Sequence, residues 1–191
     1  LPLQICIDAG LQQLTGLPAG GTWSGTVVNA QGVFDPQLAG TGLYTLYYTF
    51  TDANNCINFD SVNVTVNSVP IVNAGPDTSY CFQPIPAQLP VPSPSGGVWS
   101  GSGVTNTSVG TFDPTIAGIG QHIIVYTYTD RNGCVNQDTL LVNVISPAMV
   151  NAGNDTAICI NSTPFVISGI PSGGIWSGPS VQSNGLVNTS T

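Results

Sequence analysis

The chain has 191 residues, of which 41% are apolar and only 5% are charged, and its formal net charge is −8. It contains no lysine and no glutamate, Arg131 is the one arginine, His122 is the one histidine, and all nine acids are aspartates. A chain without a basic patch is not expected to bind nucleic acid or an anionic membrane surface. No apolar run reaches the roughly 18 residues of a spanning helix, so no membrane insertion is expected in this segment.

One unit is repeated along the chain. The motif Gly-Gly-x-Trp-Ser-Gly contains Trp23, then Trp99, then Trp176, and the motifs Phe-Asp-Pro and Val-Asn-Ala-Gly recur at the same interval of roughly 77 residues. The interval predicts an incomplete first repeat, a complete second repeat and the first half of a third repeat, which are residues 1–69, 70–147 and 148–191.

Each repeat is predicted to close with a β-hairpin. Apolar and polar side chains alternate through residues 43–52 and 122–130, which is the period of a strand. Short turns before Cys56 and Cys134 then reverse the chain into a second alternating run. Short strands separated by Gly, Pro and Asn turns predict an all-β chain of tandem, immunoglobulin-like antiparallel β-sandwich modules in a rod-like array.

Cysteines keep the same period. Cys6, Cys81 and Cys159 open the three repeats, while Cys56 and Cys134 close the first two. We expect disulfides within the repeats, Cys6 with Cys56 and Cys81 with Cys134, each contributing on the order of 4 kcal/mol in the chain-entropy model. Disulfides indicate an oxidising, extracytoplasmic location. Cys159 is unpaired in this sequence, and by the period its partner would lie beyond residue 191.

The repeated tryptophans have two interpretations. Trp23, Trp99 and Trp176 are expected to pack in the cores, together with Tyr48 and Tyr126. Exposed rings flanked by glycines would instead stack on sugars, and three copies would make a multivalent carbohydrate-binding module.

The aspartates around the closing hairpins also have two interpretations. Asp52, Asp60, Asp130 and Asp138 are weak calcium candidates, because calcium prefers clustered oxygen ligands. The favoured interpretation is that they cap turns by accepting hydrogen bonds from nearby backbone, so no metal and no cofactor are expected. An enzyme is not expected either, because His122 takes the position of Tyr44 in the first repeat and no nucleophile motif is present.

One longer run has a family resemblance. Residues 117–134, Ala-Gly-x-Gly-x-His-x-x-Val-Tyr-Thr-Tyr-Thr-Asp-Arg-Asn-Gly-Cys, followed by Asp-Thr-Leu-Leu-Val-Asn-Val and preceded by Val-Asn-Ala-Gly-Pro-Asp-Thr, resemble tandem surface repeats of Bacteroidota. These are PKD-like immunoglobulin modules and the repeats of SprB-type gliding adhesins. The resemblance covers nearly the whole chain and implies a stalk, fibre or adhesin at the bacterial cell surface. The chain departs from typical members in its near absence of cations.

The resemblance also implies O-glycosylation where Asp is followed by Ser or Thr and an apolar residue. The matching acceptors are Ser61, Thr139 and Thr156. The alternative is that Asp-Thr is a common pair at strand edges.

Together these observations predict a structural repeat segment of an extracellular bacterial surface filament or adhesin stalk. Its expected partners are further repeats or copies of itself, and glycans are a further candidate. One hypothesis is that the incomplete repeats of neighbouring molecules complete each other by strand donation. The alternatives are the carbohydrate-binding module and a spacer attached to a secreted enzyme.

Overall fold

The computed structural model describes residues 3–160 and 162–188, and it confirms an all-β chain. Residues up to Ile145 form one compact unit, and those from Ser146 form a second. The first unit contains two copies of one architecture, called here repeat 1 and repeat 2. The incomplete copy in the second unit is called repeat 3.

Repeat 1 contains six strands and one helical turn. Its elements are β1 (Leu3–Cys6), β2 (Gln12–Gln13), β3 (Thr22–Ser24), β4 (Val33–Phe34), α1 (Pro36–Ala39), β5 (Gly42–Thr51) and β6 (Ile57–Asn67). The larger sheet has the order β1-β6-β5-β3, and β2 pairs with β4 in a second sheet. Side chains from both sheets enclose the core, which includes Ile5, Trp23, Phe34, Leu46, Tyr48 and Val64.

Repeat 2 has the same plan. Its elements are β7 (Thr78–Cys81), β8 (Ala87–Gln88), β9 (Val98–Ser100), β10 (Val104–Asn106), β11 (Thr111–Phe112), α2 (Pro114–Ala117), β12 (Gly120–Thr129) and β13 (Val135–Ile145). The larger sheet has the order β7-β13-β12-β9, and β10-β11-β8 form the second. The core between them includes Ala74, Trp99, Phe112, Ile124, Tyr126 and Val142.

The closing hairpins form as predicted. β5 pairs antiparallel with β6, and β12 pairs antiparallel with β13 over ten residue pairs. Ile124 and Tyr126 on one face of β12 are buried, whereas Ile123 on the other face is 67% exposed. Alternate residues of β12 therefore lie on its inner and outer faces.

The prediction of a purely antiparallel sandwich is wrong at the opening strands. β1 pairs parallel with the end of β6, so that Cys6 lies opposite Asn67. β7 pairs in the same way with the end of β13, so that Cys81 lies opposite Ile145. Both opening strands therefore run in the direction of the last strand of their repeat, and the chain contributes strands to the second sheet before the hairpin forms.

The segment before β7 is not a strand. Residues 70–77, called here the opening segment of repeat 2, make one isolated bridge, between Asn73 and Ser93. In the second unit, β14 (Phe165–Val166) pairs with β15 (Leu186–Val187). There, residues 148–155 are the opening segment of repeat 3, and they make the equivalent bridge between Asn151 and Ile170.

Candidate functional site

The disulfide lies between repeats, so the predicted pairing is wrong. Cys6 of repeat 1 is bonded to Cys134 of repeat 2, with a Cα–Cα distance of 5.6 Å. Cys56 and Cys81, the predicted partners, carry free thiols that are exposed, as does Cys159. The prediction that Cys159 bonds the closing cysteine of its own repeat rests on the same pairing error.

Strand direction explains why a bond within a repeat cannot form. Cys6 lies opposite Asn67 at the end of β6, whereas Cys56 immediately precedes Ile57 at the start of that strand. Eleven residues at about 3.3 Å each separate the two positions by roughly 36 Å. A disulfide requires Cα atoms within about 7 Å, so the opening and closing cysteines of one repeat lie at opposite ends of their sheet.

The linker between repeats 1 and 2, residues 68–70, brings the two bonded cysteines together. The amide Nδ2 of Asn136 donates a hydrogen bond of 2.8 Å to the carbonyl of Pro70, which fixes the start of repeat 2 beside the first residues of β13. Cys134 lies immediately before this strand and is fully buried. The end of repeat 1 therefore meets the hairpin turn of repeat 2, and the disulfide joins them there.

Aspartates shape the hairpin turns, as the turn interpretation predicts. Oδ1 of Asp130 accepts hydrogen bonds of 2.8 Å from the backbone N–H groups of Asn132 and Cys134. Asp52 accepts the equivalent pair from Asn54 and Cys56. Within residues 3–160 and 162–188, no three His, Cys, Asp or Glu side chains are grouped as metal ligands.

The turn interpretation is wrong for Asp138, which together with Asp77 fastens the opening segment of repeat 2. Oδ2 of Asp138 accepts a hydrogen bond of 2.9 Å from the N–H of Ala74, and Oδ1 of Asp77 accepts one of 2.9 Å from Leu141 on β13. The bond from Ala74, followed by one from Thr139, lowers the pKa of Asp138 below its ordinary value of 3.8. Asp60, the counterpart in repeat 1, accepts from its neighbour Ser61.

The tryptophan motif builds the core of each complete repeat. Trp23 and Trp99 are only 8% and 2% exposed, and each packs against a tyrosine, with ring centroids 5.1 and 4.8 Å apart. Those tyrosines are Tyr48 and Tyr126. The two tryptophans therefore present no open ring face to a sugar. Trp176, in the incomplete repeat 3, is half-buried.

The glycines of the tryptophan motif allow the backbone to lie close to the core tyrosine and the neighbouring strand. The hydroxyl of Tyr126 accepts a hydrogen bond of 2.6 Å from the N–H of Gly97 and donates one of 2.8 Å to the carbonyl of Pro94. A Cβ at Gly97 would lie 2.4 Å from the carbonyl oxygen of Thr127, so only glycine permits this approach. Tyr48 makes the same two bonds in repeat 1, with Gly21 and Pro18.

The Phe-Asp-Pro motif starts a helical turn that sequence periodicity did not predict. Asp35 caps α1 by accepting from the N–H groups of Gln37 and Leu38, and Asp113 caps α2 in the same way through Thr115. Bonds from Thr115 lower the pKa of Asp113. An aspartate followed by proline is the signal that identifies such a helix start.

His122 makes a contact equivalent to one that Tyr44 makes in repeat 1. A ring nitrogen of His122 lies 2.8 Å from the carbonyl of Gly118, immediately after α2. The Tyr44 hydroxyl donates to Ala39 and to Gly40, the equivalent position after α1.

The three candidate glycosylation residues are exposed. Ser61 lies on β6 and Thr139 on β13, at equivalent positions, and Thr156 lies in the second unit. Their accessibility is what modification requires, and their use stays a prediction.

The sequence matches no protein-family model and no curated protein. Both helices in the described part of the chain have four residues, and neither approaches the length and apolar character needed to span a membrane. The candidate site is therefore the junction between repeats 1 and 2, which consists of the disulfide, the hairpin turn and the opening segment.

Proposed function

We propose that the chain is a structural repeat segment of an extracellular bacterial surface filament or adhesin stalk. In this proposal the repeats are tandem immunoglobulin-like, PKD-like modules of the kind found in SprB-type adhesins of Bacteroidota. The observation that carries it is the Cys6–Cys134 bond, which joins two repeats covalently beside their linker. Disulfides persist in oxidising, extracytoplasmic compartments, which supports a place at the cell surface.

The disulfide lets a stretching force pass directly from Cys6 to Cys134. A force that enters at Leu3 passes along the four residues of β1 to Cys6 and crosses the disulfide to Cys134. It then leaves along β13, which is already extended. Residues between Cys6 and Cys134 are bypassed, so they cannot be extended while the bond is intact.

Single-molecule stretching of the full chain between its two ends tests this function. The intervening sequence separation is 128 residues, so reduction of the disulfide should add about 450 Å of extension at roughly 3.5 Å per residue. The variant Cys6→Ser with Cys134→Ser should show that added extension without reductant. The variant Cys56→Ser with Cys81→Ser should behave as the parent chain.

Equal extension of the oxidised and reduced chains would contradict the proposal. It would show that the bond does not shield the repeats from force.

A further inference from the structure

The segment that begins repeat 2 lies along the strand that ends it. β7 pairs parallel with the last four residues of β13, from Val142 to Ile145. The opening segment continues this arrangement towards the start of β13, where the carbonyl of Pro70 accepts a hydrogen bond of 2.8 Å from Asn136. Residues 70–81 and β13 therefore run side by side in the same direction, and we call this pair of segments the clamp.

Two aspartates extend the clamp beyond the backbone pairing of β7 with β13. Oδ2 of Asp138 accepts a hydrogen bond from the N–H of Ala74, and Oδ1 of Asp77 accepts one from the N–H of Leu141, each at 2.9 Å. Each bond joins residues that are 64 positions apart in the sequence. Carboxylate acceptors make stronger hydrogen bonds than neutral ones. Polar contacts therefore hold the first and last segments of repeat 2 together at several points along β13.

The geometry of the clamp opposes stretching. Pro70 lies at the start of β13 and Ile145 is its last residue, so tension between these two points pulls the two segments past each other. The hydrogen bonds between the segments then share the load, and several must break in one step. In the closing hairpin, a pull on Thr129 and Val135 would instead open one residue pair at a time, because these residues form the pair next to the turn.

The disulfide decides whether tension reaches the clamp. When the bond is intact, force crosses from Cys6 to Cys134, enters β13 at its start and leaves at its end, so residues 70–81 are not loaded. When the bond is open, the linker at residues 68–70 is the covalent connection that remains between repeats 1 and 2. Force then enters repeat 2 at Pro70 and pulls the clamp in shear.

We propose that the Cys6–Cys134 bond is a redox switch that selects which part of repeat 2 bears tension. β13 alone bears it in the oxidised chain, and the clamp bears it in the reduced chain. The inference rests on the proposed function, because it concerns a chain under tension. Reduction does not by itself release the residues of repeat 2, which stay folded until the clamp breaks.

Reduction of the switch begins at the more accessible sulfur. Cys134 is fully buried, whereas Cys6 is half-buried. A thiolate of a dithiol reductant attacks the sulfur of Cys6 and displaces Cys134 as a thiolate. The second thiol of the reductant then releases Cys6 and closes a cyclic disulfide. Two electrons and two protons thus pass from the dithiol to the protein, which gains two thiols.

The switch is tested by stretching single molecules of the full chain at constant force, with and without dithiothreitol. In the reduced chain, Asp77→Ala should raise the unfolding rate of repeat 2 by about tenfold or more, because its bond to Leu141 no longer shares the load. Asp138→Ala should act in the same way through the lost bond to Ala74. In the oxidised chain, neither change should alter the extension, because the force does not pass through the clamp.

The unfolding steps identify the two repeats. Failure of the clamp frees a separation of 64 residues, which gives a step of about 220 Å at roughly 3.5 Å per residue. Repeat 1 gives a step of similar size, because its paired residues Leu3 and Val64 are 64 − 3 = 61 positions apart. The rates of both steps are therefore compared, and Asp77→Ala should accelerate one of them and leave the other unchanged.

Asp113→Ala is the matched control. Asp113 also accepts a hydrogen bond from a backbone N–H of repeat 2, that of Thr115 at the start of α2, but it lies outside the clamp. Asp113→Ala should lower the midpoint of chemical unfolding as Asp77→Ala does, yet change the unfolding rate under force by less than about twofold, because α2 is still intact when the clamp breaks. Asp77→Asn, which keeps an acceptor oxygen, should recover most of the parent rate. A near-UV circular dichroism spectrum like that of the parent will show that each variant folds.

The outcomes separate the switch from the proposed function. Unchanged rates for reduced Asp77→Ala and Asp138→Ala, or an equal acceleration by Asp113→Ala, would show that the clamp does not bear the load. Acceleration by Asp77→Ala in the oxidised chain would show that the disulfide does not divert the force. Each of these results rejects the switch but leaves the extension gained on reduction in place. Loss of that gain would instead reject the proposed function, and the switch with it.

Discussion

Repeats 1 and 2 have the same strand order but differ at their hairpin ends. In repeat 2, Cys134 is fully buried in a disulfide and Tyr126 is 1% exposed, whereas in repeat 1 Cys56 is an exposed thiol and Tyr48 is 8% exposed. The difference arises because additional residues cover the hairpin end of repeat 2. Repeat 2 receives the linker, the opening segment and Cys6 from the N-terminal side, and repeat 1 does not receive such a layer within the described residues.

The folding unit is not simply one sequence period, because a bond from repeat 1 reaches the hairpin end of repeat 2. Repeats 1 and 2 each form two sheets from their own residues, but the hairpin end of repeat 2 is also bonded to Cys6 of repeat 1. Stability is therefore expected to contain a neighbour term in addition to the term for each repeat, as in other repeat proteins.

Loss of the disulfide should have the largest effect on stability. Closing a loop of this size contributes on the order of 5 kcal/mol in the chain-entropy model, for a sequence separation of 128 residues. The double variant Cys6→Ser and Cys134→Ser should therefore lower the free energy of unfolding by up to that amount in chemical denaturation. Cys56→Ser with Cys81→Ser is the control, and a comparable loss there would contradict the observed pairing.

Displacing the opening segment of repeat 2 should leave its hairpin end as exposed as that of repeat 1. Ala74→Asp places a carboxylate at a fully buried position and should cost roughly 3 kcal/mol or more, because the opening segment must leave the core. Hydrogen exchange should then accelerate along β13 near Asp138. Ala152→Asp, at an exposed position in the second unit, should have little effect on that strand.

Removing one hydroxyl should distinguish the two cores. Tyr126→Phe leaves the N–H of Gly97 and the carbonyl of Pro94 without their partner, and the expected loss is about 1–3 kcal/mol. Tyr48→Phe should cost less, because the equivalent groups in repeat 1 are less buried and water can replace the hydroxyl. Equal losses by thermal unfolding would contradict this difference in burial.

Lowering the pH should reduce the stability of repeat 2 slightly, through Asp138, and by more than it does through Asp60 in repeat 1. The folded pKa of Asp138 is lowered, so its contribution is fully present above the ordinary value of 3.8 and is lost as the pH falls through the lower folded value. Unfolding midpoints measured from pH 6 downward should therefore depend less on pH below about pH 4 in Asp138→Asn. Asp60→Asn is the matched change in repeat 1, and a larger effect there would contradict the role of Asp138.

Much of the local structure could be predicted from the sequence. Alternation along residues 122–130 identifies the inner face of β12, and the prediction that Asp52 and Asp130 are turn residues is confirmed. Periodicity does not predict the helical turns after Asp35 and Asp113, because four residues are too few for a helical period to appear.

Period and alternation along the chain therefore determined the all-β class and the hairpins, because these depend on neighbouring residues. The tertiary structure alone decided which cysteines meet. The similar spacings of Cys6 to Cys56 and of Cys81 to Cys134, 50 and 53 residues, favour bonds within repeats. The parallel pairing of β1 with β6, and of β7 with β13, instead puts each such pair at opposite ends of a sheet. Sequence separation does not report strand direction, and strand direction sets the distance between the thiols.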